Sequence, residues 1–288
     1  MQTMAGTLYL CATPIGNLED ITLRTLKLLE TVDVIAAEDT RNTLKLLNRY
    51  EIKTPMTSYH EHNKVGKGPY LVGKLLQGES IALVTDAGMP GISDPGADLV
   101  KLCYEAQVPV TVAPGASAAV VALVLSGLDT RRFVFEGFLP PEKKERRMIL
   151  QTLEKEHRTM VFYEAPHRLT DTLEEFIDIF GKKRPCAAIR ELTKKFEEVR
   201  RDSLGGHLAY FKGNQPKGEF VLVIEGYSLE EQKKESQEAW EEVPIHAHVE
   251  KYLAQGLTEK DAMKQAAKDR GVSKREIYKE YKTNEDEK

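Results

Sequence analysis

Ile81-Ala-Leu-Val-Thr-Asp-Ala-Gly-Met-Pro-Gly-Ile-Ser-Asp-Pro-Gly96 decides the fold class of this chain. The apolar run Ile81–Thr85 reads as a buried strand, and a loop rich in glycine and proline follows it. A helical pattern then starts near Ala97. In an α/β protein, ligands bind at the loops leaving the carboxyl ends of the strands. Glycine lets backbone groups approach a ligand closely, and proline stiffens the loop in advance.

Two further segments repeat the pattern. Thr13-Pro-Ile-Gly-Asn17 follows the apolar run Leu8–Ala12, and Pro114-Gly-Ala-Ser-Ala118 follows Val110–Ala113. Each precedes a helical segment, so three small-residue loops converge on one edge of a mostly parallel sheet and predict a ligand cleft there. Neither G-x-x-x-x-G-K-[ST] nor a helix-opening G-x-G-x-x-G after the first strand is present, which argues against ATP or NAD held through phosphates.

At 288 residues, with 41% hydrophobic and 30% charged side chains, the chain has the composition of a soluble globular protein with a sizeable core. No apolar run approaches the roughly 20 residues of a membrane span. The N-terminus lacks the basic region of a signal peptide. Cys11, Cys103 and Cys186 are far apart and read as reduced core thiols, which suits a cytoplasmic location. The net charge of −4 is not that of a whole-surface nucleic-acid binder. Any such affinity must come from local patches, such as Lys143–Arg147, Lys182–Arg184, Lys194-Lys195 with Arg200-Arg201, and Lys274-Arg275, although charge runs are more often solvated faces.

The organisation predicted is two α/β domains, residues 1–126 with a mostly parallel sheet and 127–227 with a mixed sheet, and a cleft between them. Leu23, Leu26, Leu29, Leu44 and Leu47 supply apolar helix faces in the first. The second contains strands at Phe133–Phe135, Thr159–Tyr163, Cys186–Ile189 and Phe220–Ile224, with a helix at Leu169–Phe180. A charged linker occupies 228–243. Residues 244–288 form a helical module, with Thr258 and Asp261 at cap spacing, a stop at Gly271 and a capping box at Ser273–Glu276. Val249, Leu253, Leu257, Ala262, Ala266, Val272, Ile277 and Tyr281 make its core. Its helix-turn-helix likeness suits RNA contact, and docking or dimerisation about equally.

Leu8–Asn17, Glu38-Asp-Thr-Arg41, Thr85–Gly96, Pro114–Ala118, Phe162–Arg168, Arg190–Lys194 and Gly218–Glu225 occur in an order and spacing that resemble the ribosomal RNA small subunit methyltransferase I family. That family belongs to the tetrapyrrole-methylase-like class. The resemblance implies S-adenosylmethionine as cofactor, held between the two domains. It also implies methylation of a cytidine ribose 2′-hydroxyl in small-subunit ribosomal RNA, and a homodimer. Two alternatives stay open: a small-molecule, tetrapyrrole-type methyltransferase, and a non-catalytic cofactor sensor that binds nucleic acid.

Methyl transfer from a sulfonium requires alignment above all, which can contribute about 7–11 kcal/mol, while a positioned base adds roughly 10²–10⁴-fold. No metal is required, and the pairs His60/His62 and His246/His248 lack further ligands. The expected cofactor contacts are Pro14, Gly16, Asp86, Ala87, Gly88, Met89, Pro90, Ile92, Ser93, Ala116 and Ser117, with Tyr163 closing the slot. On the acceptor side stand Glu38, Asp39, Arg41, Glu164, His167, Arg168, Arg190, Glu191 and Lys194. Glu164, Arg190 and Lys194 are the foremost catalytic candidates. Each can equally serve in structural ion pairs.

Overall fold

The computed structural model describes residues 5–228, 234, 237, 239, 240 and 242–283. By contacts the chain divides into two compact units: residues through Leu153 with Arg158–Glu225, and Glu154–His157 with the residues from Gly226 onward.

The first unit holds two five-stranded sheets. The first sheet is built from β1 (Leu8–Cys11), β2 (Val34–Ala37), β3 (Met56–Ser58), β4 (Ile81–Val84) and β5 (Val110–Ala113), in the order β3-β2-β4-β1-β5. Every pairing is parallel, so all five carboxyl ends lie on one edge. Helices cover both faces. α1 (Leu23–Thr31) and α2 (Thr40–Arg49) bury Leu29 and Leu47 against Ala82 and Val84. α3 (Lys64–Leu76) and α4 (Gly96–Glu105) bury Leu71, Leu75 and Leu99 against Ile81 and Leu83. A strand covered on both sides needs no polar alternation, which explains the unbroken apolar run of β4. Full burial of each such side chain stabilises the fold by roughly 1.5–3 kcal/mol. Leu23 and Leu44, read from sequence as part of these apolar faces, are instead exposed. Leu23 is the first residue of α1, and Leu44 sits roughly 100° around the helix from the centre of the buried face formed by Thr43, Leu46 and Leu47.

The second sheet contains β6 (Phe133–Phe138), β7 (Thr159–Glu164), β8 (Pro185–Arg190), β9 (Glu198–Ser203) and β10 (Phe220–Ile224), in the order β6-β7-β10-β8-β9. Only β6 and β7 pair in parallel. α5 (Ala118–Ser126), which follows β5 in the chain, packs Ala119, Ala122 and Leu123 on one face of this sheet. α6 (Lys143–Thr152), α7 (Leu169–Phe180) and α8 (Leu204–Gly213) cover the other around Phe162, Phe176 and Leu222.

In three of the basic runs considered for nucleic-acid contact, one arginine is committed to this architecture. Arg146 on α6 is 8% exposed and forks onto Glu175 at 2.6 and 2.7 Å. Arg184 is buried, with its Nε donating to the Phe180 carbonyl. Arg201 on β9 donates to the carbonyls of Ser126 and Leu125. Burial of the Arg146 and Arg184 guanidiniums demands such partners, so these two tie elements together rather than present charge, while Arg201 is exposed and anchors β9 to the end of α5.

In the second unit α9 (Ile245–Ala254), α10 (Glu259–Arg270) and α11 (Lys274–Thr283) enclose Val249, Ala262, Ala266, Ile277 and Tyr281. Thr258 caps α10, Gly271 ends it at φ +64°, and Ser273 and Glu276 exchange hydrogen bonds ahead of α11. Val272, expected in this core, is 41% exposed because it lies just past the α10 stop. Most of the linker expected at 228–243 lies outside the described residues.

Candidate active site

The loops after β1 and β4 are laced together by main chain. Thr13 N–H donates to the Gly88 carbonyl at 2.9 Å, and Gly88 N–H returns the bond to Thr13 at 3.1 Å. Thr13 Oγ1 also donates to the Thr85 carbonyl at 3.1 Å. Gly88 has φ +82°, the left-handed region that favours glycine. Further along, Asp94 folds the loop onto itself, accepting from Gly91 N–H, Ile92 N–H and Gly96 N–H at 2.7–3.2 Å. Burial pushes its carboxyl up even though these donors favour the charged form.

Facing the loops, across a cleft of about 430 Å³, are side chains of the second sheet. Phe138, Tyr163, Ile189, Leu192, Phe220 and Val221 form an apolar wall. Glu38, Asp86, Ala87, Gly88, Met89, Ile92, Ser93, Asp94, Ser117 and Ala118 line the other side. Tyr163 packs edge-on against Phe135 and Phe138, and its hydroxyl accepts from Ala119 N–H at the start of α5. A second cavity of about 390 Å³ adjoins the first and is lined more by polar groups, among them Asn42, Thr43, Lys45 and Lys194. Ile15, Thr85, Asp86, Ala87 and Glu219 border both cavities.

Asp86 is therefore a carboxylate on the shared wall. It accepts from Asp39 N–H and from Asn42 Nδ2, both at 3.2 Å. Burial raises its pKa, the Asn42 bond opposes that, and the charge of Glu38 reinforces it. Glu38 is itself anchored, accepting from Thr85 Oγ1 at 2.6 Å.

The two halves of the cleft touch where one side lacks a β-carbon. A β-carbon built on Gly16 would lie 2.5 Å from Lys194 Cγ and 2.9 Å from the Leu192 carbonyl oxygen. One built on Gly137, at a bulge in β6, would lie 3.0 Å from Ser93 Oγ. The loop that meets Gly16 holds Glu191 at φ 50° and Thr193 at φ 63°, and a β-branched residue rarely adopts that conformation. Its partners hold it there: Thr193 N–H donates to Glu197 at 2.6 Å, and Asn17 N–H donates to Thr193 Oγ1 at 3.1 Å. Ser93 has φ 63°, so the unusual backbone clusters at this cleft, as strain tends to do at functional sites.

A family model for tetrapyrrole (corrin/porphyrin) methylases matches residues 7–206. The ribosomal RNA small subunit methyltransferase I of Halalkalibacterium halodurans is 50% identical over 277 residues, which is 96% of this chain and 94% of that one. The protein of the same name from Escherichia coli O157:H7 is 44% identical, covering 95% of this chain and 94% of that one. The chain belongs to the ribosomal RNA small subunit methyltransferase I family. Two solved structures share the fold of this methylase-family chain. Uroporphyrin-III-C-methyltransferase from Thermus thermophilus has a TM-score of 0.56 at 21% identity, over 76% of this chain and 94% of that one. Diphthine synthase has a TM-score of 0.59 at 16% identity, over 77% and 90%.

In this family member the sequence candidates fall into three groups. Asp86, Ala87, Gly88, Met89, Ile92, Ser93, Ser117, Tyr163 and Glu164 line the larger cleft, while Pro14, Gly16 and Lys194 line the adjoining cavity. Pro90, Ala116 and Arg190 border neither; Pro90 is buried, and the Ala116 carbonyl lies behind Gly88.

Glu164 is 2% exposed, and both its oxygens are engaged, by Thr172 Oγ1 at 2.6 Å and Ala165 N–H at 2.8 Å. Arg190 donates to the Lys217 carbonyl at 2.7 Å. Lys194 bonds Glu191 at 3.0 Å and Glu219 at 2.9 Å. Burial alone would push the Lys194 ammonium down, but the two carboxylates together outweigh it and hold its pKa above the ordinary lysine value. Asp94, Glu219 and the apolar wall other than Tyr163 did not stand out in the sequence. Asp94 had a signal, an aspartate between Gly91 and Gly96 where Asx-type loop closure is favoured.

Among the described residues no group of three His, Cys, Asp or Glu is arranged to hold a metal, and no helix is long and apolar enough to cross a membrane.

Proposed function

We propose that this chain transfers a methyl group from S-adenosylmethionine to the ribose 2′-hydroxyl of a cytidine in small-subunit ribosomal RNA, in the cytoplasm and as a homodimer. The observation that carries the reading is the pair of adjoining cavities with Asp86 on their common wall, in a chain whose relatives are named ribosomal RNA small subunit methyltransferases. The larger cleft fits the cofactor. Its volume lies within the range of about 300–1,000 Å³ usual for small-molecule sites. Its apolar wall and free-standing backbone suit an adenine, and the carboxylates of Glu38 and Asp86 suit a positively charged ligand. When bound, S-adenosylmethionine supplies a methyl group on a sulfonium whose charge is lost on transfer.

The chain's own residues do the rest. Asp86 through Met89, Ile92, Ser93, Ser117 and Tyr163, with Pro14, Gly16, Pro90 and Ala116 behind or beside them, hold the cofactor and orient it toward the second cavity. Asp86, with its pKa raised by burial, takes a proton more readily than a solvated aspartate and serves as the group that receives the hydroxyl proton. Lys194, held protonated, provides a cation toward the acceptor strand rather than a base. Glu164 and Arg190 act as positioning residues for the loops after β7 and β8. The homodimer reading draws support from α5, which leaves Val120 and Val124 exposed although it is apolar on every side.

The test supplies labelled S-adenosylmethionine with small ribosomal subunits lacking the modification, beside a panel of tetrapyrroles. Label in RNA that resists alkaline cleavage supports ribose methylation, because a blocked 2′-hydroxyl cannot attack its phosphate. Label in a tetrapyrrole overturns the substrate assignment. Cofactor binding without transfer to either favours a sensor.

A further inference from the structure

Among the basic runs in the second half of the chain, Arg146, Arg184 and Arg201 are tied into the fold, and an RNA strand needs a cationic path to the cavity beside Asp86. α2 offers one. Its sequence, Thr40-Arg-Asn-Thr-Leu-Lys-Leu-Leu-Asn-Arg49, contains three basic residues and no acidic one, in a chain whose net charge is −4. Arg41, Lys45 and Arg49 are four residues apart, and all are exposed. In an α-helix that spacing keeps them on one face and separates them by about 6 Å along the axis. The opposite face buries Thr43, Leu46 and Leu47 against the sheet, so the helix is fixed and the stripe points outward. Arg41 is engaged by Asp39 at 2.7 Å, and Lys45 donates to the neutral Asn42 at 3.2 Å. Among the described residues neither Lys45 nor Arg49 forms an ion pair with a carboxylate.

The position of the stripe gives it meaning. Asn42, Thr43, Lys45 and Leu46 of the same helix line the cavity that borders Asp86, and Lys194 lines it from the second sheet. The middle of the helix thus borders this cavity, with Arg41 and Arg49 about one turn to either side of Lys45. A charged rail of this kind fits the evenly spaced phosphates of an extended single strand, which proteins follow by electrostatic tracking rather than by reading bases.

We propose that Arg41, Lys45 and Arg49 form a track for the phosphates of the RNA strand flanking the target nucleotide, guiding its ribose into the cavity beside Asp86. The proposal rests on the RNA-methyltransferase reading above. It identifies α2 as the surface that engages the substrate backbone without taking part in the chemistry.

The test is the double variant Lys45→Gln/Arg49→Gln, assayed in the full chain with unmodified small ribosomal subunits. The control is Lys67→Gln/Lys101→Gln, which removes the same charge from α3 and α4 on the other face of the sheet. The track predicts a KM for subunits raised about tenfold at low salt, with kcat and S-adenosylmethionine affinity within twofold of wild type. Each lost phosphate contact lowers the slope of log affinity against log salt by roughly 0.7 for a single strand. The double variant is therefore about sevenfold less sensitive than wild type to a fourfold rise in salt, and Lys45→Arg/Arg49→Lys restores wild-type behaviour. Equal effects of the test and control variants, or an unchanged salt slope, overturn the track and leave the methyltransferase reading standing. A wild-type chain that does not methylate subunits at all overturns both.

Discussion

Where the parallel sheet reaches the cleft it does so mainly through main chain: the Thr13–Gly88 exchange, the left-handed Gly88 and the backbone amides gathered on Asp94. Where the mixed sheet reaches the same cleft it does so through side chains, with Phe138, Tyr163, Ile189, Phe220 and Val221 forming a wall. Backbone needs loops with special dihedrals and close approach, so its sequence is conspicuous. A wall of side chains needs only apolar residues on strands, and these look like any core. At the two contact points the roles interlock. Gly16 of the parallel half yields space to Lys194, and Gly137 of the mixed half yields space to Ser93.

Asp86 is the side chain that breaks the pattern, and the largest effect is expected there. Asp86→Asn keeps the acceptor for Asn42 or Asp39 N–H but removes the proton-accepting carboxylate. A lost general base lowers kcat by roughly 10²–10⁴-fold, and loss of the carboxylate also weakens binding of the cationic cofactor. The pH profile carries the sign. Because the Asp86 pKa is raised, wild-type activity is lost as pH falls through a value above the ordinary aspartate range, and the variant loses that limb. A variant with wild-type kcat would return catalysis to alignment alone.

The next test adds a side chain where the parallel half offers only backbone. In Gly16→Val the β-carbon falls 2.9 Å from the Leu192 carbonyl oxygen, and a main-chain atom cannot swing aside as the Lys194 side chain can. The loop after β1 must separate from the strained loop after β8, carrying Lys194 away from the acceptor cavity. Misplacement by about 1 Å can cost on the order of 100-fold in rate, so kcat/KM falls by that order while the melting temperature moves little. Wild-type kcat/KM in Gly16→Val would mean that contact between the halves is not needed for alignment.

This division explains what was legible in the sequence. The β4 run, the three small-residue loops and the caps at Thr258 and Ser273 declared themselves because each depends on local chemistry: burial on two faces, positive φ, or a cap hydrogen bond. The packing of α5 against the second sheet depends instead on which faces meet, which no local pattern encodes. The conformations of Glu191 and Thr193 oppose local preference and are held in part by partners distant in sequence, Glu219 and Asn17. Arg146 shows a related limit. Its charge is visible in the sequence, but Glu175, the partner that engages it, is 29 residues away.

The smallest effect is expected from trimming the mixed half. Tyr163→Phe retains the ring that packs on Phe135 and Phe138 and loses only the hydroxyl that accepts from Ala119 N–H at 3.2 Å. One neutral hydrogen bond contributes roughly 0.5–1.5 kcal/mol. S-adenosylmethionine affinity therefore falls by no more than about tenfold, measurable by calorimetry, with kcat nearly unchanged. Tyr163→Ala removes the wall itself and is expected to weaken binding far more. If the two variants bind alike, the hydroxyl rather than the aromatic surface is what the mixed half contributes at this position, and the contrast between backbone and side-chain walls would have to be redrawn around the start of α5.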